Sequence, residues 1–285
     1  MKDYRIFTDS SCDFSLADLE ARGVISLPLT FRFDDGKEYD NYNMPIGDFY
    51  DRMRSGGVAK TAAVNSEAFS EAFRSALSQG FGVLYLGFSS GLSTTYNSAR
   101  IAAEELRYEF PDGEIYTVDT LAASAGVALL IDLILKKKAE GATLAEAAEY
   151  AEQTKGKIAH WFTVDDLVYL KRGGRVSSAA AFIGNLLAIK PVLHVDDAGH
   201  LTPVSKARGR HASILAMADR LAATIDEGSP IYISHSDALP DAEKLASVIE
   251  SKCGRRVDYI TDVGPVIGAH SGPGTLALFF VGSQR

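Results

Sequence analysis

Short apolar runs alternate with longer segments of helical periodicity in the first half of the chain. The runs at 4–8, 83–86 and 115–118 predict strands, and between them apolar residues recur at the three- and four-residue spacing of helices. Ser15 is typical of a residue that caps a helix, and Thr143-Leu144-Ala145-Glu146 has the spacing of a capping box. This repeated order of strand, loop and helix predicts a mostly parallel sheet with helices on its faces.

The pattern changes after Lys155-Gly156-Lys157, which we predict to be a domain boundary. The fold class predicted is therefore α/β with two domains, at 1–156 and 157–285, and the second is expected to contain a mixed or antiparallel sheet. Its strands are predicted at 159–164, 192–195, 200–204, 231–234, 257–260 and 276–281. In the first domain, Val24 to Phe33 predicts one strand, followed by a hairpin turn at Asp34-Asp35-Gly36.

Polar loops follow three of the predicted parallel strands. They are Thr8-Asp9-Ser10-Ser11, Ser89-Ser90 and Asp119-Thr120. Because ligands of open α/β sheets collect at the carboxyl ends of the strands, we expect the three loops to converge at one edge of the sheet.

Net charge, cysteine and histidine spacing and the length of the apolar runs argue against several classes of partner. The chain has 285 residues and a formal net charge of −8, which argues against nucleic acid, since phosphate binding needs a basic surface. Cys12 and Cys253 form no C-x-x-C motif, the histidines show no metal spacing, and no metal or cofactor is expected. The start has no apolar signal-peptide core, and no apolar run approaches the ~20 residues of a spanning helix. We therefore expect a cytoplasmic protein without an integral membrane segment.

The loop after the predicted strand at 83–86 allows two interpretations. Gly87-Phe88-Ser89-Ser90-Gly91 matches the G-x-S-x-G elbow of serine hydrolases, and Asp262 and His270 follow in the order that α/β-hydrolases use. The alternative is capture of an acidic group, because hydroxyls continue to Thr95 and a helix begins there. The continued run of hydroxyls and the lack of an HGGG-type oxyanion segment favour the second interpretation.

Two further glycine-rich segments are candidates for ligand contact. Lys171-Arg172-Gly173-Gly174-Arg175 could aim a guanidinium at an acidic group, although a solvated surface turn has the same composition. The segment from Gly268 to Gly274 holds His270 between glycines just before a predicted core strand. A capped turn with an incidental histidine is the alternative there.

Together, five segments of this chain resemble the DegV family of bacterial fatty-acid-binding proteins and occur in that family's order. They are Thr8 to Asp13 (TDSSCD), Ser89 to Ser98 (SSGLSTTYNS), Leu170 to Ser177 (LKRGGRVS), Ile189 to Leu193 (IKPVL) and Ile267 to Gly274 (IGAHSGPG). They span nearly the whole chain, and the set is more specific than any one of its members.

The resemblance implies a long-chain fatty acid buried between two α/β domains, with its carboxylate at the domain interface. By position, Thr61 and Ser93 match the residues that bind the carboxylate in the family, and His270 and Arg175 are expected near it. The resemblance also implies a partner, a soluble fatty-acid kinase that phosphorylates the carboxylate to an acyl phosphate. ATP and Mg²⁺ would belong to that kinase, so this chain is expected to be a lipid carrier and not an enzyme.

The sequence departs from the family pattern at two places. Thr61 is followed by Ala62-Ala63-Val64-Asn65, whereas in the family this threonine usually begins the sequence T-S-Q-P-S. Thr94 stands where glycine is usual and adds bulk beside Ser93. We therefore expect either the geometry around the carboxylate or the natural ligand to differ from what is usual in the family.

Overall fold

The computed structural model describes residues 3–176 and 189–285, so that Ser177 of the quoted segments lies outside the described residues. The strands are β1 (Tyr4–Asp9), β2 (Val24–Leu27), β3 (Thr30–Arg32), β4 (Glu38–Asp40), β5 (Lys60–Ala62), β6 (Gly82–Gly87), β7 (Ile115–Asp119), β8 (Ile158–Thr163), β9 (Ile189–Val195), β10 (Leu201–Arg208), β11 (Ile231–His235), β12 (Tyr259–Asp262) and β13 (Leu276–Val281). The α-helices are α1 (Leu16–Arg22), α2 (Ile46–Arg54), α3 (Ser66–Ser78), α4 (Thr95–Glu109), α5 (Ala125–Ala139), α6 (Leu144–Lys155), α7 (Val168–Gly173), α8 (Arg210–Thr224), α9 (Leu239–Cys253) and α10 (Pro265–Ser271).

A parallel sheet forms from the first part of the chain, in the order β2-β1-β6-β7. Every residue of β6 is buried, as expected for a central strand that helices cover on both faces. Ser15 and Thr143 each close a capping box at the start of a helix, through Asp18 and Glu146. The predicted parallel sheet with flanking helices is therefore confirmed.

The single strand predicted from Val24 to Phe33 is wrong. Its first part, β2, lies in the parallel sheet, whereas β3 pairs with β4 and β5 in a small antiparallel sheet. Pro28 lies between the two strands and has no N–H to donate to a ladder. The next N–H, on Leu29, is taken by Ser10 Oγ at 2.9 Å, so the chain turns from one sheet to the other.

The second sheet is mixed and has the order β10-β9-β8-β13-β11-β12. Only the pair β11 and β12 is parallel, and the other four pairs are antiparallel. This confirms the mixed sheet predicted for the second half. All its strands lie after residue 157 and all those of the parallel sheet lie before residue 120, while the domain bounds 1–156 and 157–285 stay a prediction.

Helix α5 lies between the two large sheets. It contacts β6 on one side and β8, β11 and β13 on the other, and residues 125–131 are all buried. A helix that is apolar on all sides is expected in such a position. Among the described residues, no helix has both the length and the apolar character that a bilayer crossing needs.

Alternation along β8 assigns the two faces of the mixed sheet. Phe162 belongs to the core shared with α5, whereas Trp161 packs in the core that α8 and α9 cover. The face that carries Phe162 forms one wall of the principal cavity.

Candidate functional site

A cavity of about 470 Å³ lies among the loop after β6, helix α10 and the inner face of the mixed sheet. This volume falls within the range of small-molecule sites, roughly 300–1,000 Å³. Much of the wall is apolar, from both halves of the chain, and includes Leu29, Phe88, Leu92, Phe162, Leu170, Leu201, Val266, Ile267 and Phe279. The four predicted site residues Thr61, Ser93, Arg175 and His270 all line this cavity.

Thr61 and His270 are in direct contact. Thr61, on β5, places Oγ1 2.8 Å from Nε2 of His270, on α10. Burial, with the nearby charge of Arg175, lowers the pKa of His270 to about 4, so the imidazole is neutral near pH 7. With its proton on Nε2, the ring donates to Thr61 and leaves the threonine hydroxyl hydrogen free for an acidic ligand.

The other imidazole nitrogen of His270, Nδ1, lies against Gly173 in the basic segment Lys171 to Arg175. His270 Nδ1 is buried without a hydrogen-bond partner among the described residues. It packs so closely on Gly173 that a Cβ at that position would lie 2.2 Å away. The glycine in this turn therefore makes room for the histidine.

Ser93 lies in the turn that leads into α4. The carbonyl of Ser89 accepts hydrogen bonds from the N–H groups of Leu92 and Ser93, at 3.0 and 3.1 Å. Ser93 Oγ accepts from the N–H of Thr95 at 3.2 Å and lies 2.9 Å from its hydroxyl. A half-buried hydroxyl beside the N-terminus of a long helix is well suited to an anion, because the backbone N–H groups add positive potential.

Ser89, the nucleophile of the hydrolase alternative, is fully buried. Its hydroxyl donates to the carbonyl of Gly199 at 2.8 Å and accepts from the N–H of Gly91 at 3.2 Å. These bonds fasten the loop to the β9–β10 hairpin. A nucleophile elbow instead presents its hydroxyl at an exposed position, so the geometry of Ser89 disfavours the hydrolase interpretation.

The acid and base of the hydrolase alternative are also separated. Asp262 lies beside His235, with 3.3 Å between Oδ1 and Nδ1, while His270 contacts Thr61. A triad needs each member within hydrogen-bond reach of the next. Ser89, Asp262 and His270 therefore do not form a catalytic triad in the structure.

Arg175 is the last residue of the basic segment Lys171 to Arg175 and lies at the mouth of the cavity. Gly174 adopts a left-handed φ of 68°, and Arg175 then reaches back so that Nε donates to the carbonyl of Leu92 at 3.2 Å. Among the residues that the structure describes, Arg175 forms no ion pair with a carboxylate, and it lines the cavity. Its charge is therefore available to an anionic group there.

The three polar loops converge as predicted, but much of the first is used for structure. Asp9 is buried and accepts from Phe88 N at 3.0 Å and from Tyr85 Oη at 2.6 Å. Asp119 accepts from the N–H of Ser90 at 3.1 Å, and the Thr120 hydroxyl donates to the Gly87 carbonyl at 2.7 Å. These bonds hold the loop that carries Ser93 against the strand ends.

Three of the residues that depart from the family pattern also lie at the cavity. Ala62, Ala63 and Thr94 line it, and the two alanines make the wall beside Thr61 less polar. Asn65 has a different role, because its side chain accepts from the N–H of Ala68 at 2.9 Å and caps α3.

Sequence reasoning missed a group of polar residues in the cavity wall. Ser124 and Ser234 line it with 2.8 Å between their hydroxyl oxygens, and Ser124 also hydrogen-bonds the buried carboxyl of Asp13. His160 is buried and also lines the cavity. Only the position of Asp13, after the first parallel strand, could have indicated this group in the sequence.

Comparison with known proteins agrees with the fold. The family model described as "Uncharacterised protein, DegV family" matches residues 3–283. A DegV domain-containing protein of Clostridium perfringens is 43% identical over 100% of this chain and 99% of its own. A fatty acid-binding protein of Thermotoga maritima is 33% identical over 95% of both chains.

The similarity extends to solved structures. A stearic acid-binding protein of Eubacterium ventriosum has a TM-score of 0.88 and 25% identity, with 98% of each chain covered. The match of the family model over almost the full length decides the assignment. This chain belongs to the DegV family.

Proposed function

We propose that the cavity binds a long-chain fatty acid, with the carboxylate at Thr61 and Ser93 and the acyl chain along the apolar wall. The observation that carries this proposal is that Thr61, Ser93, Arg175 and His270, from four distant segments, line one largely apolar cavity. The fatty acid-binding protein of Thermotoga maritima and the stearic acid-binding protein of Eubacterium ventriosum support the same ligand class.

The acyl chain and the carboxylate have different energetic roles. Burial of about fourteen methylenes, at ~0.8 kcal/mol each, contributes on the order of 11 kcal/mol before the costs of association. A buried carboxylate without partners would cost several kcal/mol. The hydroxyls of Thr61 and Ser93 offset that cost, so they fix the direction of the lipid more than they add affinity.

We further propose that the bound carboxylate is presented to a soluble fatty-acid kinase in the cytoplasm. A carboxylate oxygen would attack the γ-phosphorus of the kinase's Mg²⁺-bound ATP, so that an acyl phosphate forms and ADP leaves. Arg175 supports this role, because an unpaired cation at the mouth would offset charge on the transferred group. The sequence lacks a nucleotide motif, in keeping with a subunit that only holds the substrate.

The experiment is a double substitution, Thr61→Ala with Ser93→Ala, assayed with a fatty-acid kinase for acyl phosphate. Neither side chain is needed to fill the core, so the variant should keep its circular dichroism spectrum and lose product formation. Ser75→Ala, an exposed serine of α3, is the matched control and should keep full activity. Undiminished product from the double variant would refute the head-group assignment.

A further inference from the structure

One face of α10 runs along the cavity and gives the site its length. Val266, Ile267, His270 and Ser271 of this helix line the wall, and so does Val263, which precedes it. From Val266 to His270 the helical rise of ~1.5 Å per residue spans about 6 Å, and Val263 extends this wall further. His270 lies with Thr61 at one end, and Val263 lies at the other, beside Gly264, whose N–H donates to Asp13 at 2.9 Å.

The wall near the Val263 end is polar, although a simple acyl chain would meet only methylene groups there. Ser124, just before α5, and Ser234, on β11, come from opposite layers and are hydrogen-bonded across the cavity wall. Asp13 anchors them through a hydrogen bond with the hydroxyl of Ser124. Asp13, Ser124 and Ser234 are all buried, and Ser124 is slightly more exposed than Ser234, at 5% against 0%.

The hydroxyls of Ser124 and Ser234 retain hydrogen-bonding capacity for a ligand. When Asp13 is ionised, Ser124 donates to its carboxylate and Ser234 donates to Ser124, so that the oxygen of Ser124 keeps one free lone pair and that of Ser234 keeps two. The pair can therefore accept a hydrogen bond from a ligand hydroxyl. Hydrocarbon at the same place satisfies none of these lone pairs.

A third hydroxyl lies nearer the carboxylate end. Ser271 lines the cavity beside His270, is buried at 6% exposure, and its Oγ has no hydrogen-bond partner among the described residues. A buried hydroxyl without a partner costs free energy unless a ligand or an ordered water satisfies it. Ser271 therefore adds a further hydroxyl to this wall that a ligand oxygen can satisfy.

We propose that Ser124, Ser234 and Ser271 form a hydroxyl seam that recognises an oxygen on the acyl chain, so that chain-hydroxylated fatty acids are a preferred ligand class. The inference rests on the proposed function and adds substrate specificity to it. Hydroxyl groups would hydrogen-bond to the seam, while the carboxylate stays at Thr61 and Ser93.

The test is displacement of a fluorescent fatty acid by stearic acid and by monohydroxystearic acids with the hydroxyl near the carboxylate or at mid-chain. Wild-type protein should bind at least one hydroxy isomer about threefold or more tighter than stearic acid, the gain of one modest hydrogen bond. Ser271→Ala should remove a preference for a hydroxyl near the carboxylate. Ser124→Gly should remove a mid-chain preference, since glycine tolerates the φ of 56° at that position.

The outcomes separate this inference from the proposed function. If stearic acid binds but no hydroxy isomer binds about threefold tighter, or if the preference survives both substitutions, the seam is overturned and fatty-acid binding stands. If neither stearic acid nor any hydroxy isomer displaces the probe, the proposed function itself fails. Binding of stearic acid by Ser124→Gly and Ser271→Ala shows that each variant is folded.

Discussion

Thr61 Oγ1 lies 2.8 Å from His270 Nε2, although 209 residues separate the two in the chain. Strand β5 and helix α10 meet at this contact, which joins the small antiparallel sheet to the segment that precedes the last core strand. A neutral histidine can orient the threonine hydroxyl toward a ligand without adding charge to the site.

Removal of the Thr61 hydroxyl should weaken ligand binding without unfolding the protein. Thr61→Val keeps the branched shape but cannot donate to a carboxylate, and a hydrogen bond to a charged group is worth about 1.5–3 kcal/mol. We expect fatty-acid affinity to fall about tenfold or more. Thr61→Ser, which keeps the hydroxyl, is the control, and equal affinities of the two variants in a displacement titration would contradict the assignment.

Ser93 and Ser89 should respond to alanine in opposite ways. Ser93→Ala should lower fatty-acid affinity with little change in thermal stability. Ser89→Ala should lower stability by about 1–3 kcal/mol, because the buried carbonyl of Gly199 and N–H of Gly91 lose their partner, and should leave binding nearly intact. Labelling of Ser89 by a fluorophosphonate probe, or ester hydrolysis that Ser89→Ala abolishes, would instead favour the esterase.

His270 should stay neutral well below the usual titration range of histidine. Burial and the charge of Arg175 lower its pKa from 6.5 to about 4. A carboxylate bound beside His270 carries a negative charge, which stabilises the protonated imidazole. Ligand binding should therefore raise the pKa of His270. NMR titration of the imidazole, with His270→Gln to assign the signal, measures both values, and a ligand-free pKa near 6.5 would contradict the burial.

Asp13 should make folding stability depend on pH. Burial raises its pKa from 3.8 to about 7, so between these values the folded state holds a proton that the unfolded state has lost. Stability from this group is therefore present at about pH 4 and is lost as pH rises through about 7. Asp13→Asn removes that dependence.

Urea unfolding of wild type and Asp13→Asn at pH 5 and pH 8 tests this sign. The stability of wild type relative to the variant should be greater at pH 5 than at pH 8. The same difference at both pH values would show that Asp13 has an ordinary pKa in the fold. Far-UV circular dichroism of the variant at each pH confirms that it is native.

The regular parts of the fold could be predicted because local pattern determines them. Strand β6 is a short apolar run that can be recognised from the sequence. The capping boxes at Ser15 and Thr143 indicate helix starts by residue type and spacing alone. The exchange between β2 and β3 was missed because apolar residues recur at every second position from Ile25 to Phe33, which is the pattern of one continuous strand. Its interruption depends on Pro28 and on a hydrogen bond from a residue nineteen positions away.

The site was predictable only in part, for a related reason. Thr61, Ser93, Arg175 and His270 lie in segments that resemble a family pattern, so their residue types could be matched by position. The pairing of Ser124 with Ser234 spans 110 residues, and Ser124 takes a positive φ that its side chain does not favour. Neither feature leaves a periodic signal in the sequence.

Mass spectrometry of the lipid extracted from the purified protein tests the central claim most directly. We expect a long-chain fatty acid at about one molecule per chain from wild type, and a hydroxylated chain within that fraction if the hydroxyl seam acts as proposed. The double substitution Thr61→Ala with Ser93→Ala, purified in parallel, should carry less. A folded wild-type protein from which no acyl lipid can be extracted, and which takes up none when fatty acid is added, would contradict the account.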